Sequence, residues 1–155
     1  MEKIYEAGGT LNKGFVGQIS YTVCLEKEYG EMDIAFSFDK QYYSDVTEEL
    51  KQEITDICNK EYPGETDSDE VLTDAIRGMK TEIHTIAAMN GEFIGGIHKQ
   101  LTERHMHYSP SFTSDGCIAQ TRIGGVIKIT LVVFNVLMDD THYSLSLSAG
   151  EVSNV

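Results

Sequence analysis

Between Gly125 and Met138 the chain runs through Val126-Ile-Lys-Ile-Thr-Leu-Val-Val-Phe-Asn-Val-Leu137, its most apolar stretch. That run is shorter than the roughly 18 apolar residues a membrane span needs. It is also too continuous for a surface helix and rich in β-branched residues, which suits a pleated, buried backbone. The run therefore predicts a central strand covered on both faces, and whatever else the chain does must cover it. The N-terminal arm or a second subunit is expected to cover the face that helices leave open.

The rest of the chain is read around that strand. Gln18 to Leu25 alternates, with Ile19, Tyr21, Val23 and Leu25 on one side, and Met32, Ile34, Phe36 and Phe38 do the same after the polar stretch Glu26 to Gly30. Strict alternation marks half-buried strands, and the short polar link predicts a hairpin. Before them lies a short polar arm with Gly8, Gly9 and Gly14. From Ser44 the spacing becomes helical through Val46, Leu50, Ile54 and Ile57, with Asp45 and Glu48 placed as a capping box and Pro63-Gly64 as the stop. Asp67 and Glu70 repeat the box, and Leu72, Ala75, Ile76, Met79, Ile83, Ile86 and Ala87 predict a second helix that reaches at least Met89. Asn90-Gly91 and Gly95-Gly96 interrupt it, and Phe93, Ile94, Ile97, Leu101 and His105 continue it to about Arg104. Tyr108 to Gly116, rich in serine and with Pro110, is a loop or edge segment. After a turn at Met138 to Thr141, the alternation of Tyr143, Leu145 and Leu147 with serines gives a last antiparallel strand, and Glu151 to Val155 is a polar tail.

The order strand-strand-helix-helix-strand-strand predicts an α+β fold, a largely antiparallel sheet packed against two long antiparallel helices. At 155 residues, one domain spanning 1–155 is expected. The formal charge of -13 opposes binding to nucleic acid or to an anionic membrane surface. Met1 to Gly9 lacks the basic start and apolar stretch of a secretion signal, so a cytoplasmic protein is expected. Cys24, Cys58 and Cys117 are odd in number and far apart, which predicts buried free thiols.

Candidate chemistry is thin. His84, His98, His105, His107 and His142 form no ligand motif, although His105 and His107 would share a face if their stretch were extended. They read as exposed histidines near a helix end, and Asp139, Asp140 and His142 as turn residues. Asp67, Asp69 and Glu70 share part of the spacing of a calcium loop, but Val71 stands where an oxygen ligand belongs. Hydrolase and phosphate-loop motifs are absent from the sequence. The acidic excess is uneven: Asp45 to Glu82 holds 12 acidic and 4 basic residues, a net of -8, leaving -5 for the remainder.

In Gly30-Glu-Met-Asp-Ile-Ala-Phe-Ser-Phe38, the helices from Asp45 and Asp69, the loop Tyr108-Ser-Pro-Ser111, Gly125-Val-Ile-Lys-Ile129 and Tyr143-Ser-Leu-Ser-Leu-Ser148, the chain resembles the CheX and CheC chemotaxis phosphatases. The resemblance is one of element order over roughly residues 15 to 149. It implies a CheX-like fold, a homodimer, and a response-regulator receiver domain as partner. It also implies removal of an aspartyl phosphate by a Glu-x-x-Asn pair on one helical face, the amide orienting water and the acid holding the receiver's lysine. One register places Glu82 and Thr85 at the pair and the other Ala87 and Asn90, so each keeps half of it. Glu82, Asn90 and Thr85 are the candidate catalytic residues. No cofactor of its own is expected, since magnesium would belong to the receiver. Two further readings stand beside this one: a non-enzymatic acidic protein-binding or inhibitor module, including a nucleic-acid mimic, and a metal-dependent enzyme using zinc, iron or nickel.

Overall fold

A computed structural model describes residues 1–64 and 68–151. Eight strands, β1 (Glu2–Leu11), β2 (Gly17–Cys24), β3 (Glu31–Phe38), β4 (Glu82–Met89), β5 (Glu92–Ile97), β6 (Glu103–Tyr108), β7 (Val126–Asn135) and β8 (Thr141–Gly150), are interrupted after β3 by α1 (Glu48–Glu61) and α2 (Asp69–Gly78). The strands form two four-stranded antiparallel sheets, in the orders β1-β8-β3-β6 and β2-β7-β4-β5. Their inner faces share one apolar cluster. Met32, Ile34, Phe36, Met106 and Leu147 of the first sheet meet Ile83, Ile94, Ile127, Ile129 and Leu131 of the second. This is a β-sandwich, which replaces the expected α+β fold.

The expected second helix fails beyond Gly78 for a definable reason. Ile83 and Ala87 are four residues apart, a spacing that satisfies both a helical face and a strand face. In β4 the inward residues are Ile83, Thr85 and Ala87, and the buried hydroxyl of Thr85 hides the alternation. Asn90 and Gly91, read as a helix stop, have φ of 52° and 85° and form the tight β4–β5 turn. Such a pair suits a two-residue hairpin, whose twist requires positive φ at both positions. Gly95 and Gly96 are strand positions. A Cβ at Gly95 would lie 2.6 Å from the Tyr108 hydroxyl and 2.7 Å from Cys117 Sγ.

Other strands are in place but differently partnered. β2 and β3 are not a hairpin, because β2 pairs with β7 and β3 with β6 and β8. β7 is central, yet only its Ile127, Ile129, Leu131 and Val133 are buried, while Val126, Lys128 and Phe134 are exposed on the outer face. The N-terminal arm does not cover that face. It is β1, paired with β8 from Glu2 opposite Ala149 to Leu11 opposite Thr141. Glycine disfavours strands, which conceals β1 in the sequence. Here Gly9 lies under the Tyr143 ring, where a Cβ would meet ring atoms at 2.8 Å.

The helices form, but their caps fall slightly later in the chain than the boxes suggest. Thr47 Oγ1 accepts from Leu50 N at 3.1 Å and Ser68 Oγ from Val71 N at 3.3 Å. Asp67 and residues 152–155 of the expected tail lie outside the described residues. α1 buries no residue and α2 buries only Ile76. The ends of this excursion meet, since Thr81 N donates to Gln41 O at 2.8 Å. Cys24 and Cys58 are exposed and Cys117 half-buried, which corrects the expectation of buried thiols. Among the described residues no helix is long and apolar enough to cross a membrane.

Candidate functional site

The titratable side chains concentrate on β6, an edge strand of the first sheet. Its sequence Glu-Arg-His-Met-His-Tyr alternates as an extended chain, so Glu103, His105 and His107 face outward and Arg104, Met106 and Tyr108 inward. β3 runs alongside with Asp33 opposite His107 and Ala35 opposite His105. Two outward histidines therefore meet three outward carboxylates, Glu31, Asp33 and Glu103.

His105 donates from Nδ1 to Asp33 Oδ2 at 2.8 Å and faces Glu103 Oε1 from Nε2 at 3.3 Å. The hydrogen bond to Asp33 raises the His105 pKa above its usual value, against the opposing effect of burial. His107 stands between Glu31, 3.3 Å from Nε2, and the other oxygen of Asp33, 3.5 Å from Nδ1. The result is a row of alternating acid and imidazole along the sheet. With both ring nitrogens of His105 turned to carboxylates, neither is left as a lone pair for a general base or a metal. Among the described residues no group of three or more His, Cys, Asp or Glu is arranged to hold a metal ion. Ser37 and Ser144 lie beside the row, and their hydroxyls bond each other at 2.8 Å.

On the inner side, Arg104 is 3 % exposed. Its Nε donates to Leu101 O at 2.8 Å, and its Nη1 donates to Ile83 O and to Thr85 Oγ1, the latter at 3.4 Å. The guanidinium carbon is 5.4 Å from the Phe36 ring centre and 5.8 Å from that of Phe38. Burial lowers its pKa to about 10, so it stays cationic at neutral pH. Beside it, where the edges β5 and β6 approach, lies a cavity of about 280 Å³. The segment between β6 and β7 closes this side. Ser114 N donates to His107 O at 3.0 Å, Gly96 N to Gly116 O at 3.0 Å and Ile118 N to Ile94 O at 2.8 Å.

The residues singled out for phosphatase chemistry lie elsewhere and apart. Glu82 begins β4 on the outer face, 3.0 Å from His84 Nε2. Thr85 points inward and accepts from Arg104. Positions i and i+3 share a helical face but fall on opposite faces of a strand, so Glu82 and Thr85 do not converge. Asn90 sits in the turn at the far end, about 25 Å along the strand from Glu82. Its side chain ties that turn to the start of β7: Nδ2 donates to Gly124 O at 3.1 Å and Oδ1 accepts from Val126 N at 2.9 Å.

His84 lies 4.5 Å from the Phe134 ring and 6.0 Å from the His98 ring on the outer face of the second sheet. His142 is bound to Asp39 through its ring at 3.1 Å and its backbone N–H at 2.9 Å. No histidine thus serves as a helix-end residue. The residues that sequence reasoning missed are Arg104, Glu31, Asp33 and Glu103. The signal for Arg104 was the alternation Glu103 to Tyr108, which puts one cation among the inward residues.

The chain belongs to a family of unknown function, DUF6669, which it matches over residues 1–152. No curated protein and no solved structure matches it.

Proposed function

We propose that this protein is a non-enzymatic binding module whose α1–α2 pair docks onto a basic protein surface. The observation that carries the reading is the contrast between the charge of this excursion and its packing. The segment Asp45 to Glu82 has a net charge of -8, yet α1 buries nothing and α2 buries one side chain. An element that adds so little to the core, and concentrates negative charge, is suited to steering and holding a positively charged partner.

Local ion pairs hold the two helices in one arrangement without neutralising them. Lys51 bridges Glu48 of α1 (3.3 Å) and Asp69 of α2 (3.1 Å), and Lys13 from the β1–β2 connection pairs with Glu53. Glu49, Asp56, Glu61 and Glu70 stay exposed, and Ile57, Tyr62 and Val71 are exposed among them. Exposed apolar side chains on an acidic element suit a surface that is charge-selective on approach and apolar in contact.

The receiver-phosphatase reading needs an acid and an amide on one helical face, and Glu82, Thr85 and Asn90 offer no such face. The test is a pair of measurements. A partner captured by the intact protein is purified, and its affinity is measured against salt for wild type and for a Glu49→Gln, Glu61→Gln, Glu70→Gln variant. Binding that weakens steeply with salt and is lost in the variant, with unchanged melting, is expected. Affinity indifferent to both salt and variant overturns the reading, as does accelerated decay of a phosphorylated receiver domain from the same genome.

A further inference from the structure

Arg104 is a cation in the interior with no counter-ion. Its bonds go to two carbonyls and one hydroxyl, no carboxylate lies in ion-pair reach among the described residues, and its Nη2 has no partner at all. A buried, unpaired charge is among the costliest features a core can hold, and an apolar residue of similar volume is often the more stable choice there. Its three bonds tie β6 to β4 and to the β5–β6 connection, yet they leave the charge itself unpaired, and the neighbouring inward positions of β6, Met106 and Tyr108, are uncharged.

Arg104 lines the 280 Å³ cavity between β5 and β6 together with Gly96, Ile97, Leu101, Ser114 and Gly116. We infer that this cavity is a ligand site for a small monocarboxylate, its carboxylate supplying the acceptor that Nη2 lacks and its aliphatic part lying against Ile97 and Leu101. Three observations narrow the class. Only one nitrogen of the fork is without a partner, which suits a single oxygen rather than a bidentate phosphate. Around the opening Glu103 and Asp115 offset the cations Arg104 and Lys99, with His98 and His105 beside them, which leaves no formal surplus of positive charge for a second negative charge on the ligand. The cavity is at the small end of ligand sites.

Nη2 is buried, and the guanidinium is tied to the β5–β6 connection through Leu101 O. That connection, residues 98–102, must shift for a ligand to enter. It also holds Gln100 Oε1, a second buried atom without a partner.

The experiment is an NMR titration of the full chain with hexanoate, hexanamide and inorganic phosphate, read on the backbone signals of residues 96–104 and on the Arg104 Nε–H. Saturable shifts with hexanoate, and affinity about tenfold or more weaker for hexanamide, are expected from the loss of a charge-assisted hydrogen bond. Arg104→Met is expected to abolish hexanoate binding while melting no lower than wild type. Because that variant touches the core, Leu101→Trp at an exposed position of the lining serves as a second, and it is expected to weaken hexanoate at least tenfold without loss of stability. Equal binding of hexanoate and hexanamide, no shifts with hexanoate, phosphate binding as tightly as hexanoate, or undiminished hexanoate binding in a folded Arg104→Met or Leu101→Trp variant each overturns the inference.

Discussion

The sandwich and the helical excursion inserted after β3 use apolar residues in opposite ways. In the sandwich, alternate residues of β3, β4, β6, β7 and β8 enter one shared core, and Ile129, Leu131 and Leu147 lose all contact with water. In α1, Leu50 and Ile54 are half-buried and Ile57 is 52 % exposed, although the three recur at helical spacing. An amphipathic stripe thus shows that a helix can form, and says nothing of whether a second surface exists to receive it. The sandwich supplies its own second surface, the opposite sheet; the helices have no comparable one, with Ile76 of α2 their single buried side chain.

The sharpest test of that difference is a pair of truncations. Leu147→Ala is expected to cost about 2 to 5 kcal/mol in urea unfolding, the range for a buried leucine. Ile57→Ala is expected to change stability by under about 0.5 kcal/mol, as surface substitutions do. Comparable losses at the two sites would break the comparison.

The next test removes the excursion. Because Gln41 and Thr81 already meet through a backbone hydrogen bond, a short Gly-Ser linker replacing residues 44–78 can close the gap. The shortened chain is expected to keep the strand signature in circular dichroism and a single cooperative transition. The loss should be about 1.5 to 3 kcal/mol, the value of burying one side chain such as Ile76. A chain that no longer folds would show the helices to be part of the core.

A smaller effect is expected where a loop side chain does work within the sandwich. Asn90→Ala gives up two hydrogen bonds and places alanine at φ 52°, at a combined cost of about 2 kcal/mol. Asn90→Gly should recover the backbone part and not the bonds, which unfolding of the two variants side by side would separate.

The smallest effect lies on the outer face of the first sheet. His105 has its pKa raised in the folded chain, so its contribution is fully present below the ordinary histidine value and is lost as pH rises through the raised one. Stability of the wild type should fall across that window. Asp33→Asn should flatten the slope and return the His105 titration, followed by NMR, toward its ordinary position.

Several single elements, though not the fold class, were legible in the alternation. The inward faces of β2, β3 and β8 are those the sequence marks, and both helices begin within a few residues of their expected starts. Illegible were the elements whose local signals conflict. Gly8 and Gly9 conceal β1, the four-residue spacing of Ile83 and Ala87 fits two periods at once, and an Asn-Gly turn can end a helix or join two strands. The candidate site was legible only in part. His105 and His107 stand out at once, but their carboxylate partners, Asp33 and Glu31, come from β3, far earlier in the chain.

Periodicity is a local property, carried by each residue's own neighbours, and so the sequence alone settles which side of a strand is apolar and where charge accumulates. It places -8 on the helical segment whatever the fold around it. Which strands pair is decided elsewhere. Among the described strands only β4 and β5 are sequence neighbours that also pair, and every other connection between them carries the chain from one sheet to the other. Tertiary structure alone therefore decides that β6 lies beside β3, that histidines meet carboxylates there, and that Arg104 ends in the core. An extended Glu-Arg-His-Met-His-Tyr marks Arg-Met-Tyr as its more apolar face, but only the sheet stacked against it takes Arg104 out of water together with Met106 and Tyr108.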